Sequence, residues 1–552
     1  MKKICTLLTI GMVLLGAGAK AQAPNWAWAK KAGGSGNDVS NGVCVDASGN
    51  SYVTGYFVSS SISFGTTTLS NGGGLDYFLT KYDVAGNVLW AKGATGVSND
   101  AGVKISLDAS GNVYVMGNTN SHTLTFGTIT LTLHGYDDTF IVKYDTNGNV
   151  LWAKIAGGTG NDIGQGLSVD GSGNAYICGY FASSSMSFGS ITITNAGGND
   201  VFLAKYDPSG NVLWAKSVGG TGDDSANGVG TDASGNVFIT GSFLSSSISF
   251  GTTSFTNGGG IDMFTAKYDG SGNVLWAKSA TGVSNDVGYD IKADASGNAI
   301  VIGTFNSSSL TFGSFPLTLK GYDDIFLVKY DPSGTVLWAK SAGGTGNDIG
   351  VSVAVDQIGN AYLTGYFASP SLSFGSTVLT NSASTYAMYV AEYDPLGTVI
   401  WAKGSVSTGD DRGNCIAVDA NGNSCVAGSF TTSSLAFGTT NLANAGGTDM
   451  YVAKLYSNNL GIQEGSKSSV TMLVYPNPSN GVFELLVKGL PDSFSGARLA
   501  IVDMLGREVY SSLLDMQNAS QALDLSGQTN GMYYVIVSNH NEQYRTKVLL
   551  NK

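Results

Sequence analysis

Apolar and polar residues alternate along this chain in short runs. Pieces such as "AYICGYF" and "DVFLAKYD" are separated by clusters of Asp, Ser, Gly and Asn. Period-two alternation built from β-branched and aromatic residues predicts strands. The "D-x-S-G-N" pieces between them predict tight hairpin turns, in which Asp caps its own turn and Gly takes the left-handed position.

The rhythm is periodic on a larger scale. Trp28, Trp90, Trp152, Trp214, Trp276 and Trp338 follow one another at intervals of 62 residues, and Trp401 comes 63 later. "GNVLWAK" occurs verbatim four times, ending at Lys92, Lys154, Lys216 and Lys278. Each unit holds four main strands, and an "SFG" at Phe64, Phe126, Phe188, Phe250, Phe312, Phe374 and Phe437 predicts an extra small hairpin between the second and third. Four antiparallel strands repeated in this way are the pattern of a β-propeller. Seven "KYD"-type segments occur, and the last, "AKLY", has no "VLWAK" after it. An unpartnered "NWAWAK" ending at Lys30 precedes the first unit. The expectation is an all-β fold: a seven-bladed propeller closed by the N-terminal strand, which removes two unpaired edges. The repeated Trp is read as packing against the neighbouring blade; the functional alternative is sugar stacking. Units one and four, two and five, and three and six share longer strings, as if a 186-residue block had been copied once and one unit added.

Composition agrees with many short strands and turns. There are 78 Gly among 552 residues and only 12% charged residues, while 42% hydrophobic and 10% aromatic residues suffice for a core. A net charge of -12 without a basic stripe argues against a nucleic-acid partner. Residues 1–21, with "MKK", an apolar stretch and "AKA", read as a signal peptide; nothing later is long and apolar enough to span a membrane as a helix. Cys44, Cys178, Cys415 and Cys425 fall at four different repeat positions and are expected to be free and buried.

The repeat resembles the seven-bladed β-propeller repeat family (SBBP-type repeats) of secreted bacterial proteins, over residues 22–459. That family has no common ligand to carry over. After a polar linker at 460–470 the period is lost, and residues 471–552 suit a small β-sandwich. This segment is similar to the type A C-terminal sorting domain of the type IX secretion system. The resemblance rests on Tyr475, Pro476, Asn477, Pro478, Gly481, Phe483, "DMLGREV" with Asp503 and Gly506, Gly531 with Tyr533, and the terminal "TKVLLNK". It implies export from a Bacteroidetes-type bacterium through the type IX machinery, with release or surface attachment.

Candidate chemistry is sparse. His122, His134 and His540 sit in no metal-ligand spacing, and no phosphate-binding glycine loop or catalytic triad can be assembled. No catalytic or cofactor-binding residue is assigned. Blade six departs from the repeat at Ala387 and Glu392, with Tyr386 nearby, and Arg412 is a further departure; drift is the reading given to these. Two sets of acids recur: Asp38, Asp100, Asp162, Asp224, Asp286, Asp348 and Asp411 between blades, and Asp76, Asp138, Asp200, Asp262, Asp324 and Asp449 opening the third strand. Each is read as capping backbone N–H groups; the alternative is a Ca²⁺ site. Ser-rich inserts such as "SSSISFGTT" are placed on the same face, as solvated loop tips or sugar-binding loops. The function expected is binding or adhesion at the cell surface, to a polysaccharide or surface protein. The alternatives are a secreted polysaccharide hydrolase or lyase acting through blade six, and a structural surface or matrix protein.

Overall fold

The computed structural model describes residues 23–383, 385–405, 408–457, 471–488, 490, 497–503, 507–514, 520–538 and 543–552. The signal peptide, the linker at 460–470, Gly506 and His540 lie outside the described residues. The chain divides into two compact units after Ser457.

The first unit is all-β. An initial strand β1 (Trp26–Ala32) is followed by β2 (Asp38–Val45), β3 (Ser51–Phe57), β4 (Ser61–Phe64), β5 (Thr67–Ser70), β6 (Asp76–Tyr82) and β7 (Val88–Gly93). Strands β2, β3, β6 and β7 form one antiparallel sheet in that order, and β4–β5 is the separate small hairpin turned by the "SFG". The same arrangement recurs in each of the next five repeats. In the seventh, Asp411–Val418, Ser424–Phe430 and Asp449–Leu455 take β1 as their fourth strand, with Lys30 opposite Val452 and Ala32 opposite Met450. The Ser40 hydroxyl donates to the Gly428 carbonyl at 2.7 Å, so the first sheet lies beside the seventh.

Strand β6 is buried at every position, as are its equivalents, because both faces pack against neighbouring sheets. That is why the third strand reads as a nearly unbroken apolar run while the outermost strand alternates. Inner strand β2 carries a bulge between Ser40 and Gly42, repeated in every inner strand.

The repeated heptapeptide is a self-complementary joint between sheets. The Trp28 indole N–H donates to the Val84 carbonyl in the β6–β7 turn of the next sheet, at 2.9 Å. Gly86 in that turn has φ +79°, and a Cβ there would lie 2.7 Å from the Trp28 ring. Both the backbone conformation and the space therefore demand glycine. The pattern repeats for Trp90 with Thr146, Trp152 with Pro208, Trp214 with Gly270, Trp276 with Pro332 and Trp338 with Pro395. Each copy offers a glycine to the Trp behind it and sends its own Trp forward. A lysine on the third strand reinforces the joint, as when Lys143 reaches the Pro208 carbonyl and pairs with Asp108 at 3.1 Å.

Trp401 is the exception, and it corrects the reading of Glu392 as drift. The seventh sheet takes its fourth strand from β1, so no third-to-fourth-strand turn stands in front of Trp401. Its indole N–H donates instead to the Glu392 carboxylate, which replaces the usual lysine and also accepts from Asn360 Nδ2 at 2.9 Å. Glu392 supplies from within blade six the acceptor that the next blade lacks. Nothing in the structure explains Ala387.

Among the described residues Cys44, Cys178, Cys415 and Cys425 are free; the last three are buried as expected, whereas Cys44 is only half-buried. Cys415 faces Ala427 and Cys425 faces Ala417 across their hairpin, so the two thiols do not oppose each other.

The second unit has a three-stranded sheet (Thr471–Tyr475, Val482–Lys488, Ser520–Asp524) and a four-stranded one (Glu508–Leu513, Arg498–Asp503, Gly531–Ser538, Gln543–Leu550). Phe483, Leu485, Leu499, Ile501, Val535 and Val548 form its core. Asn477 brackets the last strand, donating to the Lys547 carbonyl and accepting from the Leu549 N–H, both at 2.9 Å. Asp503 accepts from the Arg507 backbone and side chain. Tyr475 is exposed beside Pro476 and Pro478.

Candidate binding site at the mouth of the central channel

All seven interblade aspartates are buried, and six accept hydrogen bonds from their loops. Asp38 Oδ1 accepts from the N–H groups of Val58 and Ser59 at 3.0 and 3.1 Å, and Oδ2 from the Ser59 hydroxyl and the Gly34 N–H at 2.6 and 2.7 Å. Asp162, Asp224, Asp286 and Asp348 repeat this with Ser183, Ser245, Ser307 and Ser369, and Asp100 binds the Thr119 and Ser121 hydroxyls. Asp411 opens the seventh inner strand. In the second set, Asp76, Asp138, Asp200, Asp262, Asp324 and Asp449 each accept a backbone N–H four residues earlier, and Asp449 also pairs with Lys31 at 2.7 Å. Asp38 and its bonded equivalents tie the loop entering the blade to the loop leaving its second strand, whereas the second set closes the loop before the third strand. Burial pushes Asp100, Asp286, Asp324 and Asp348 up to about 6. Among the described residues, no group of three or more His, Cys, Asp or Glu is placed to hold a metal ion.

The side chains that differ between blades converge elsewhere. A cavity of about 610 Å³ opens on the axis of the ring, lined by one residue from every inner strand: Asn41, Val103, Gln165, Asn227, Tyr289, Val351 and Asn414. Each stands three residues after its blade's interblade aspartate. Val39, Tyr56, Lys104, Asp410, Arg412, Ser429, Thr431 and Thr448 complete the wall. The inner strands are where sister blades part company. Blades two and five share "ATGVSND" yet read "DAGVKISL" and "DVGYDIKA" immediately after it.

Arg412 stands where the other inner strands carry Val39, Ala101, Ile163, Ser225, Val287 and Ile349. Its guanidinium lies 4.9 Å from the centre of the Tyr366 ring and 5.2 Å from that of Tyr386, and the two rings meet edge to face at 4.9 Å. No carboxylate pairs with it among the described residues. Tyr386 is held in place by the Asp410 carboxylate, which accepts its N–H at 3.0 Å, and by the Asp411 N–H, which donates to its carbonyl at 2.9 Å. Burial raises the Tyr366 hydroxyl, and Arg412 opposes that rise.

Deeper along the axis, Asp290 accepts from Lys292 at 3.1 Å, from the Ser352 hydroxyl at 2.9 Å and from the Val353 N–H at 3.1 Å. Burial disfavours its charge, but Lys292, then Lys104, and these hydrogen bonds outweigh it and hold the carboxyl below its ordinary range.

Sequence reasoning noted Arg412 and Tyr386 but not the channel. The signal was present in the repeat itself: the copies agree at the blade joints and disagree on the inner strand. Tyr386, the residue before the third strand of blade six, and Glu392, near that strand's far end, are the pair named for a hydrolase, and they stand six residues or about 20 Å apart. Glu392 is spent on Trp401 and Asn360.

Comparison with known proteins places the two units. Residues 473–551 match the secretion system C-terminal sorting domain, and residues 151–180 match the β-propeller repeat. The chain is therefore a propeller-repeat protein carrying a type IX sorting tail, a domain that marks proteins exported to the cell surface or the extracellular space. It is 26% identical over 432 residues to an uncharacterised WD repeat-containing protein of Acanthamoeba polyphaga mimivirus, covering 62% of this chain and 31% of that protein. It is 25% identical over 193 residues to the regulatory protein FlaEY of Caulobacter vibrioides, covering 34% of this chain and 20% of that one. The chain thus spans less than a third of these curated relatives. Among solved structures, the extracellular domain of a hybrid two-component system from B. thetaiotaomicron aligns at 11% identity and TM-score 0.22, over 93% of this chain and 81% of that one. A puromycin hydrolase aligns at 10% identity and TM-score 0.34, over 82% and 58%. No helix among the described residues is long and apolar enough to cross a membrane.

Proposed function

We propose that this secreted or cell-surface propeller is a binding protein that captures a polysaccharide at the mouth of its central channel. The observation that carries this reading is the asymmetric cavity on the axis of an otherwise regular ring, walled by tyrosines, side-chain amides and one arginine. Amides and hydroxyls match the donor and acceptor pattern of sugar hydroxyls, and tyrosine rings offer flat faces for stacking. A volume near 610 Å³ falls within the range of about 300–1,000 Å³ usual for small-ligand sites. Adhesion follows if the captured polymer belongs to another surface.

The test is a glycan-array screen of the whole chain, with Ca²⁺ and with EDTA. Selective binding that persists in EDTA is expected, because six of the seven interblade aspartates are occupied by protein donors. A blank array would overturn the reading in favour of a protein ligand or a structural role. Binding lost in EDTA would return Asp38 and its equivalents to consideration as Ca²⁺ ligands.

A further inference from the structure

We infer that the polysaccharide is acidic, and that Arg412, braced on Tyr366 and Tyr386, receives its carboxylate or sulfate group. This deepens the binding reading above and rests on it. Three observations converge on an anion.

The first is the state of Arg412. It stands at a position that is apolar in five of the other six blades, on the channel wall, with ring faces as its contacts and no carboxylate partner among the described residues. Ring faces fix the plane of a guanidinium without using its N–H donors. The fork is held in orientation while donors stay available for the planar, two-point pairing that carboxylate and sulfate oxygens accept.

The second is charge. The whole chain carries -12, yet the axis gathers Lys104, Lys292 and Arg412 against Asp290 and Asp410. Asp290 is compensated at 3.1 Å by Lys292, and Asp410 is tied to the Tyr386 N–H. Three cations against two carboxylates leave the axis with a small net positive charge inside an otherwise acidic chain, which favours an anion there.

The third is the rest of the wall. Asn41, Asn227 and Asn414 each give one amide N–H to a backbone carbonyl of the next inner strand, and their remaining amide groups, with that of Gln165, present neutral donors and acceptors around the axis. They suit the hydroxyls of a sugar ring carrying the acidic group, and a bare inorganic anion would leave them unused.

Binding of the whole chain is measured by calorimetry against oligogalacturonate (carboxylate), a carrageenan oligosaccharide (sulfate) and laminarihexaose (neutral), at about 50 and 300 mM salt. Two variants accompany it. Arg412→Val installs the residue found at this position in blades one and five, so the strand accepts it; Arg412→Lys keeps the charge without the fork. At least one acidic glycan is expected to bind more tightly than the neutral one, more weakly at the higher salt, and at least about tenfold more weakly to Arg412→Val. Arg412→Lys is expected to fall between. Which acidic probe binds identifies the source of the anion. Unchanged acidic-glycan binding by Arg412→Val, with an unaltered melting point, would overturn the role of Arg412 and leave the binding reading intact. Preference for the neutral glycan would do the same, and binding to none of the three, with a blank array, would bring down both.

Discussion

Glu392 offers the sharpest test of how the ring is joined. In six joints an indole N–H is satisfied by a carbonyl of the following blade; at Trp401 the acceptor is Glu392 from its own blade. Replacing Glu392 with the lysine that the repeat prefers would normally be called a consensus stabilisation. Here it should do the reverse. Glu392→Lys removes the acceptor from an indole in a Trp that is 3% exposed, and a buried donor left unsatisfied costs about 1–3 kcal/mol. The new ammonium can pair with Asp356, as Lys143 does with Asp108, but it lacks the forward carbonyl that Lys143 finds at Pro208. Glu392→Gln keeps an acceptor and should stay within about 0.5 kcal/mol of the parent. Urea denaturation followed by Trp fluorescence reads these differences on the same chain. Trp401→Phe closes the cycle, because without the indole donor the cost of Glu392→Lys should shrink, giving a coupling of about 1–2 kcal/mol. A coupling near zero, or a Glu392→Lys protein as stable as the parent, would refute the account of Glu392 as a replacement acceptor.

Two further outcomes follow from the same contacts. Gly210→Ala should destabilise the propeller by at least about 1 kcal/mol, since φ is +82° and the added methyl would sit 2.8 Å from the Trp152 ring; an unchanged urea midpoint would show that the turn relaxes freely. Acid should stabilise moderately: Asp100, Asp286, Asp324 and Asp348 titrate near 6 when folded against 3.8 as the ordinary value. The folded chain then holds protons that unfolding releases, so stability rises as pH falls through 6 and levels off below the ordinary value. Each group contributes on the order of 1–3 kcal/mol. Asp108, Asp232 and Asp294, held low by Asn and Lys partners against the pull of burial, reverse the trend only below that value. A melting point lower at about pH 5 than at about pH 7.5 would contradict the burial of these carboxylates.

The division between sequence and structure follows from range. Strand positions, the "SFG" hairpin, the unpartnered first strand and the sorting tail were all legible. Each is written in a local pattern, whether period-two alternation, a turn with Asp and Gly at set offsets, or a motif with set spacing, and seven copies make such patterns unmistakable. The recurrence of one Trp per blade was legible too, and an aromatic recurring on every blade has to pack somewhere. What escaped were properties that exist only once the blades stand side by side. Glu392 reads as an error in a copy until its blade is seen to face a sheet whose outer strand comes from the other end of the chain. Arg412 reads as a lone departure until Tyr366, from the second strand, and Tyr386, from the start of the third, close on its guanidinium. The inner-strand residues look like noise along the chain and become a wall only around an axis. Local chemistry wrote the blades; their closure into a ring decided which side chains meet at its centre, because those neighbours lie scores to hundreds of residues apart and no local pattern connects them.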